Sequence, residues 1–207
     1  MRLTLHTFLT LDGVLQAPGG PDEDRDGDFP YGGWSFPYGD QDFGVAVSGW
    51  FDQADAFLLG RKTYEIFRGH WPRVTDPGDL IASKLNALPK YIASTTLNSA
   101  DWHNSWLLGG GDVAAEVAKL KEQPGDELQI HGSGGLAQTL IEHDLIDEYR
   151  LLIFPVHLGS GKKLFRDGAK AAALRLTHSS TTSTGVIIAT YEPAGPAQHG
   201  SYALDES

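Results

Sequence analysis

Residues 127–155, ELQIHGSGGLAQTLIEHDLIDEYRLLIFP, decide the fold class of this chain. An apolar strand over residues 128–131 runs into a glycine-rich turn, and apolar residues at helical spacing follow from about Leu136 to His143. A strongly apolar strand, YRLLIFPV, comes next. Strand, helix and strand in this order predict a parallel crossover unit whose strands are buried on both faces. The stretch therefore indicates an α/β protein.

The rest of the chain continues this alternation and ends differently. Two late strands, LRLTHSS and GVIIATYE, predict an antiparallel hairpin that turns around residues 183–185. We therefore expect one domain over residues 1–192, built on a mostly parallel sheet with an antiparallel edge, and a loose polar tail over residues 193–207. The further elements predicted are a strand over residues 2–11, helices over about 42–54 and 79–86, a strand at AFLLG, a helix opening at Thr63, a strand at KYIAST, and a helix from Asp112 to about Gln123.

Composition excludes several classes of function. The 207 residues carry a net charge of −11, which disfavours nucleic acid and anionic membranes as partners. There is no cysteine, and the eight histidines contain no pair four residues apart, so we expect neither thiol chemistry nor a metal site. No segment is long and apolar enough for a membrane helix, and no signal peptide is evident, so a cytoplasmic location is expected.

The glycine cluster after the strand at 128–131 is a candidate phosphate site. Gly132, Gly134 and Gly135 predict a tight turn that exposes backbone N–H groups at the start of a helix. The pattern also fits G-x-G-x-x-A, but the next strand ends in Phe154, without the carboxylate that a Rossmann ribose site needs. A tight turn with no ligand is the alternative. A hydrolase with Ser133 as nucleophile is a weaker alternative, because the glycine of a nucleophile elbow is replaced by His131.

A second candidate phosphate site lies in AFLLGRKTYEIF. Gly60 permits a tight exit from a buried strand, Arg61 and Lys62 supply positive charge, and Thr63 is a candidate helix cap. Two solvated bases at an ordinary helix start are the alternative. Lys162 and Lys163, with Arg166 nearby, are the other local cations in this acidic chain, and Ser94 and Thr95 supply hydroxyl groups at the end of the strand KYIAST.

The segment from Asp12 to Asp40 predicts a long functional loop, because it is dense in Gly, Pro and Asp and also carries five aromatic residues. Trp34 in this loop is a candidate for closing over a flat substrate, with core or dimer packing as the alternative. Asp12, directly after the first strand, is either a turn residue or a carboxylate that orients a substrate or its water.

Five segments, in this order, resemble the bacterial dihydrofolate-reductase-like family, which includes the C-terminal reductase domain of the bifunctional riboflavin-biosynthesis deaminase-reductase. The resemblance covers most of residues 2–192, and it implies a three-layer α/β/α fold. The segments are TLDGVLQ, LLGRKTYE, PKYIAST, LQIHGSGGLAQTLIEHDLIDEYRLLIFPVHLGSGKKLF and the terminal hairpin.

The resemblance implies NADPH as the cofactor, bound across the C-terminal ends of the strands. Arg61 would face the 2′-phosphate, and backbone near Phe8 and Leu15 would hold the nicotinamide carboxamide. The remaining residues implied at the cofactor are Ser94 and Thr95 near the 2′-phosphate, Lys62 and Thr63 (after Gly60) at one helix start, and Ser133, Gly134, Gly135 and Leu136 (after Gly132) at the other.

The resemblance also implies a small-molecule substrate, and here the chain departs from folate reductases. Those enzymes carry an acidic residue on the helix after the first loop, whereas the nearest carboxylate here, Asp42, is offset from that position. Asp12 matches an aspartate of the riboflavin-type reductases, which makes it the candidate catalytic or orienting residue; Trp34 and Asp42 are the candidate substrate contacts.

The sequence therefore favours hydride transfer from NADPH to a small heterocyclic or carbonyl-bearing compound, in a homodimer as the resemblance suggests. A non-catalytic NADP(H)-binding sensor or regulatory domain is the alternative, motivated by the missing pterin-binding acid.

Overall fold

In the computed structural model, which describes residues 1–203, an eight-stranded sheet carries five α-helices. The strands are β1 (Arg2–Thr10), β2 (Ala56–Gly60), β3 (Lys90–Ala93), β4 (Ser105–Leu107), β5 (Glu127–His131), β6 (Glu148–Phe154), β7 (Ala172–Thr181) and β8 (Ile187–Pro196). The helices are α1 (Gln41–Asp52), α2 (Arg61–His70), α3 (Leu80–Ala87), α4 (Val113–Lys121) and α5 (Gly134–Glu142).

The strand order in the sheet is β4-β3-β2-β5-β1-β6-β8-β7. β1 lies at the centre and pairs in parallel with β5 on one side and β6 on the other. β8 pairs antiparallel with β6, and β7 pairs antiparallel with β8 at the edge. The predicted mostly parallel sheet with a C-terminal antiparallel hairpin is therefore confirmed.

The helices cover both faces of the sheet, which makes three layers. Leu58 of β2 packs in one apolar cluster with Val117 of α4 and Leu140 of α5. Its neighbour Phe57 points to the other face and packs with Phe51 at the end of α1 and Leu85 of α3. Successive side chains of a strand point to opposite faces, so a short apolar strand such as AFLLG serves both clusters.

Some predicted boundaries differ from the structure. The second helix begins at Arg61, so Thr63 lies inside its first turn instead of capping it; the N-cap is Gly60, which offers no side-chain oxygen. The last strand continues to Pro196 because Ala172 pairs with Pro196, so ordered pairing extends beyond the predicted domain end at residue 192. Within residues 1–203, no helix is long and apolar enough to cross a membrane.

The long loop from Asp12 to Asp40 is folded onto the sheet. Val14, Phe29 and Trp34 are buried in one apolar cluster with Phe154 of β6 and Ile188 of β8. The loop therefore contributes a third apolar cluster to the core, which accounts for the number of aromatic residues in a segment rich in Gly and Pro.

Candidate functional site

A cleft of about 980 Å³ opens at the carboxyl ends of the parallel strands. This is where open α/β sheets bind ligands, because the loops that leave the strands leave a crevice there. Every residue that the sequence predicts to hold the cofactor lines this cleft: Phe8, Leu15, Gly60, Arg61, Lys62, Thr63, Ser94, Thr95, Gly132, Ser133, Gly134, Gly135 and Leu136.

Among the five α-helices of residues 1–203, the starts of α2 and α5 differ from the other three. α1, α3 and α4 each begin with an aspartate (Asp40, Asp79 and Asp112) whose carboxylate accepts hydrogen bonds from backbone N–H groups of the first turn. α2 and α5 begin at Gly60 and Ser133, and neither has a side-chain cap or an acidic residue in its first turn. The N–H groups that a cap would satisfy are therefore available to an anion in the cleft.

The positive charges in the first turn of α2 also favour an anionic ligand. Arg61 and Lys62 are its first two residues, where the helix dipole favours negative charge and disfavours cations. Residues that go against such local preferences are typical of functional sites. Arg61 donates to Glu65 Oε1 at 2.8 Å and to Thr96 Oγ1 at 2.7 Å, so the guanidinium lies against the turn that follows β3.

The turn before α5 is held by a set of hydrogen bonds to β2 and α2. Ser133 adopts a left-handed conformation (φ 50°), and its hydroxyl accepts from Gly60 N and donates to His131 O, both at 3.0 Å. Its N–H donates to Thr63 Oγ1 at 3.2 Å. These bonds join the two uncapped helix starts into one unit. Because both hydroxyl partners are backbone atoms, the geometry gives no support to Ser133 as a hydrolase nucleophile.

Gly134 allows the close approach between α5 and the loop after β1. A Cβ at this position would lie 2.9 Å from Leu15 Cδ1, closer than real Cβ contacts. Gly134 and Leu15 therefore lie against each other in the lining of the cleft, and a side chain at position 134 would have to displace Leu15. Glycine at such a position lets a phosphate group approach the backbone closely.

Two acidic residues of the long loop meet two lysines at the opening of the cleft. Lys162 Nζ lies 2.5 Å from Asp24 Oδ2 and 2.8 Å from Asp26 Oδ2, and Lys62 also pairs with both carboxylates. Hydrogen bonds from Lys162 and Lys62 lower the pKa of Asp26 to about 2. We call these four residues the charged mouth. Arg166, the other cation considered, pairs with Glu142 and does not line the cleft.

The floor of the cleft carries two histidines that sequence reasoning missed. His6 of β1 and His131 of β5 occupy paired positions in the sheet, and their rings stack with centroids 4.7 Å apart. His131 also stacks on Phe51 at 4.2 Å, and the edge of His6 meets Trp50 of α1 at 5.4 Å. Burial, with the Arg150 guanidinium as a second cause, holds the pKa of His6 well below its usual value; burial and His6 do the same for His131.

A buried polar network lies behind the two histidines. His131 Nε2 lies 2.9 Å from Gln129 Oε1, and Gln129 Nε2 donates to Glu127. Arg150 of β6 donates to Glu127 Oε2 at 2.8 Å and to Glu148 Oε1 at 2.5 Å. Each charged group of the network has an ion-pair partner and hydrogen bonds. An unpaired charge in this buried region would strongly lower the stability of the fold.

A pattern in the sequence could have revealed this floor. The three central strands alternate polar and apolar residues, although central parallel strands are normally apolar on both faces. The polar positions fall on one face of the sheet, under α1, and they are Thr4 and His6 in β1, Glu127, Gln129 and His131 in β5, and Glu148 and Arg150 in β6.

The structure places Asp12 outside the cleft, contrary to the expected catalytic role. Its carboxylate accepts hydrogen bonds from Thr10 Oγ1 at 2.5 Å, Gly159 N at 2.8 Å and Leu158 N at 3.2 Å. Although partial burial opposes the shift, these bonds lower the pKa of Asp12 to about 2. The side chain therefore fastens the turn after β1 to the loop after β6, and it is an ionised acceptor instead of a proton donor.

Trp34 and Asp42, the expected substrate contacts, also lie outside the cleft. Trp34 is buried, its indole N–H donates to Gln16 O at 2.7 Å, and its ring packs edge-on against Phe154. Asp42 lies in the first turn of α1 and accepts from Ser183 N at 3.2 Å, in the tip of the β7–β8 hairpin. The core-packing alternative therefore holds for Trp34, and Asp42 contacts the hairpin.

The chain matches the family model of the RibD C-terminal domain over residues 2–188. It is 32% identical over 196 residues to the uncharacterised protein YyaP of Bacillus subtilis, covering 92% of this chain and 94% of YyaP. It is 30% identical over 130 residues to the uncharacterised protein YwjB of the same organism, covering 62% and 68% of the two chains.

Two solved structures share the fold. A candidate riboflavin biosynthesis protein from Shewanella sp. PV-4 superposes with a TM-score of 0.65 at 21% identity, covering 93% of this chain and 99% of that one. A pyrimidine reductase-like protein from Corynebacterium diphtheriae superposes with a TM-score of 0.59 at 15% identity, covering 93% and 91%.

Proposed function

Because the chain belongs to the RibD C-terminal domain family, we propose that it is an NADPH-dependent reductase that transfers a hydride to a small heterocyclic or carbonyl-bearing substrate. The observation that carries the proposal is the pair of uncapped helix starts, α2 and α5, facing one cleft with Arg61 and Lys62 in the first turn. Such an arrangement is suited to several phosphate groups at once.

Each part of the cleft has a role in this proposal. Arg61, beside Ser94, Thr95 and Thr96, holds the 2′-phosphate that distinguishes NADPH from NADH. The N–H groups at the starts of α2 and α5 hold the pyrophosphate, and backbone near Phe8 and Leu15 holds the carboxamide. When bound, the reduced nicotinamide supplies the hydride, and the protein contributes binding, orientation and electrostatics.

Thermal unfolding with NADPH and NADH side by side tests the cofactor. At about a hundred times its Kd, a ligand stabilises the fold by about 2.7 kcal/mol, a shift on the order of 5–10 °C in a domain of this size. We expect NADPH to raise the Tm well above the value with NADH, and Arg61→Ala to abolish the difference.

The matched control is Arg68→Ala, on the same helix. Arg68 pairs with Asp101 and does not line the cleft, so this variant should keep the preference for NADPH. A wild-type protein whose Tm neither nucleotide changes would refute the cofactor assignment. Oxidation of NADPH in the presence of pyrimidinones or simple carbonyl compounds then separates an enzyme from an NADP(H)-binding sensor.

Homodimer formation stays a prediction from the family resemblance. Leu176, on the edge strand β7, is about half exposed, which is compatible with a contact there. Light scattering at several protein concentrations tests it, and a monomer throughout would reject it.

A further inference from the structure

The charged mouth connects the α2 side of the cleft to the α5 side. Lys62 is the second residue of α2. Lys162 lies in the loop after β6, which is fastened to α5 because Gln138 Nε2 donates to Lys163 O at 2.9 Å. Asp26 Oδ2 contacts the ammonium groups of both lysines. One carboxylate of the long loop therefore lies between a cation on the α2 side and a cation on the α5 side.

Asp24 makes the same double contact. Its Oδ1 lies 3.4 Å from Lys62 Nζ, and its Oδ2 lies 2.5 Å from Lys162 Nζ. Although partial burial opposes the shift, the hydrogen bond from Lys162 lowers the pKa of Asp24 below its usual value, so this carboxylate is negatively charged at neutral pH. Carboxylate and phosphate oxygens accept hydrogen bonds from the same cationic donors. The two aspartates therefore take up contacts that a phosphate-bearing ligand would make with these lysines.

A buried glutamine holds the backbone that carries the two carboxylates. Gln16 is 3% exposed, and its Nε2 donates to Asp24 O at 3.0 Å and to Asp26 O at 2.9 Å. Its Oε1 accepts from Lys162 N at 3.0 Å, so the same side chain also fixes the loop that carries the second lysine. The carboxylates can therefore turn away from the lysines while their backbone stays at the mouth.

The lysines of the mouth are able to exchange partners. The side chains of Lys162 and Lys62 are 43% and 55% exposed, and ion pairs at such positions separate at little cost because water solvates both charges. A competitor that is tethered beside its partner nevertheless acts at a high effective concentration. The apparent Kd of a ligand that needs the lysines is the intrinsic Kd divided by the fraction of molecules in which the lysines are free.

We propose that Asp24 and Asp26 are an internal competitor for the phosphate groups of the ligand. In the free protein they hold Lys62 and Lys162, which lowers the affinity of the cleft for anions, and a ligand displaces them when it binds. The inference deepens the proposed function and rests on it for the identity of the ligand, NADPH. The competition itself needs only a phosphate compound that reaches the two lysines.

Calorimetric titration of the full chain with two phosphate compounds at low salt tests the competition. Inorganic pyrophosphate probes the lysines without a nucleotide, and NADPH probes the complete cleft. The mouth variant carries Asp24→Asn and Asp26→Asn. The control variant carries Asp22→Asn and Asp28→Asn, which change the net charge equally. Asp22 and Asp28 are exposed residues of the same loop and do not line the cleft.

We expect the mouth variant to bind pyrophosphate and NADPH about tenfold more tightly than wild type, since the weak ion pairs of the mouth no longer oppose binding. The control variant should bind both compounds within about twofold of wild type. In wild type, salt weakens the internal competitor and the ligand alike, so the affinity for pyrophosphate should fall only gently as salt is added. In the mouth variant it should fall more steeply.

A measurement on wild type does not depend on the folding of a variant. The side-chain carboxyl ¹³C signals of Asp24 and Asp26 should shift when pyrophosphate is added, because both carboxylates lose their lysine partners. The corresponding signals of Asp22 and Asp28 should stay in place.

Three results would overturn the inference: a folded mouth variant that binds pyrophosphate no more tightly than wild type, equal gains of affinity in the mouth and control variants, or no binding of pyrophosphate to either wild type or the mouth variant. Failure of this inference is distinguishable from failure of the proposed function. A Tm raised by NADPH together with any of the three results leaves the reductase intact. Tighter binding of pyrophosphate by the mouth variant, without any effect of NADPH on the Tm, leaves only the competition at the mouth.

Discussion

The floor and the mouth of the cleft both contain clusters of opposite charges, but the two clusters differ in exposure. Side chains of Arg150 and Glu127 at the floor are each 8% exposed. At the mouth, the side chains of Lys62 and Asp26 are 55% and 57% exposed, and that of Asp24, which lies deeper, is 16% exposed. Charges in a low-dielectric interior must be paired at all times, while exposed charges can exchange one partner for another at little cost.

The difference indicates separate roles for the two clusters. The floor network fixes the rings of His6 and His131 and cannot rearrange without leaving a buried charge unpaired. At the mouth, Asp24 and Asp26 contact the lysines where a phosphate-bearing ligand is proposed to bind, and such a ligand can replace them. The floor cluster therefore stabilises the fold, whereas the ion pairs of the charged mouth compete with the binding of the ligand.

The largest effect is expected from removing the buried cation. Arg150→Ala leaves Glu127 without its arginine in the interior and leaves Glu148 paired with the partly exposed Arg2 alone, which should lower the free energy of unfolding by about 3–5 kcal/mol. Urea unfolding followed by circular dichroism measures it. Arg175→Ala is the control, because Arg175 pairs with Glu192 on the exposed edge hairpin and its loss should cost less than about 1 kcal/mol. Equal losses of unfolding free energy in the two variants would mean that the buried ion pairs of the floor stabilise the protein no more than an exposed pair does.

The pH dependence of stability should reveal the buried histidines. The folded-state pKa values of His6 and His131 lie well below 6.5, so below that pH the unfolded chain takes up protons that the folded chain does not. Their contribution is therefore present above pH 6.5 and is lost as the pH falls, by up to about 1.4 kcal/mol per pH unit for each histidine.

Urea unfolding of wild type and His131→Gln between about pH 7.5 and about pH 5.5 measures this dependence. Wild type should lose more stability over this range than the variant, which lacks one of the two ionisable rings. A slope that is the same in both proteins would mean that His131 is not buried in neutral form.

The smallest effect is expected at the mouth. Asp26→Asn removes one of two carboxylates from an exposed cluster, so its effect on stability should be smaller than those of Arg150→Ala and of the change in pH. The small change in Tm should disappear in about 1 M salt. The affinity for NADPH should rise, because Lys62 and Lys162 then have one competitor fewer. Titration of NADPH into Asp26→Asn and wild type at low salt measures the second effect, and a weaker affinity in the variant would contradict the proposed competition.

Sequence reasoning located the two helix starts to within two residues but failed for the side chains of the long loop. The segments GRKT and HGSGG carry their signal locally, as glycines after an apolar strand and before a helix, and both line the cleft. Asp12 and Trp34 carry no such signal, because their environment depends on where residues far along the chain fold back. Gly159 and Phe154 supply the contacts that turn them away from the cleft.

By itself, the sequence determined the order of strands and helices apart from the three-residue β4, the antiparallel hairpin at the end, and the two phosphate-suited turns, since each depends on residues adjacent in the chain. The tertiary structure alone decided which polar residues meet. His6 and His131 become stacked neighbours because β1 pairs with β5, and Lys62 and Lys162 meet because the loop after β6 returns to α2. These contacts join residues about a hundred positions apart. The register of the sheet brings the two histidines together, and the path of a loop brings the two lysines together; no local pattern records either.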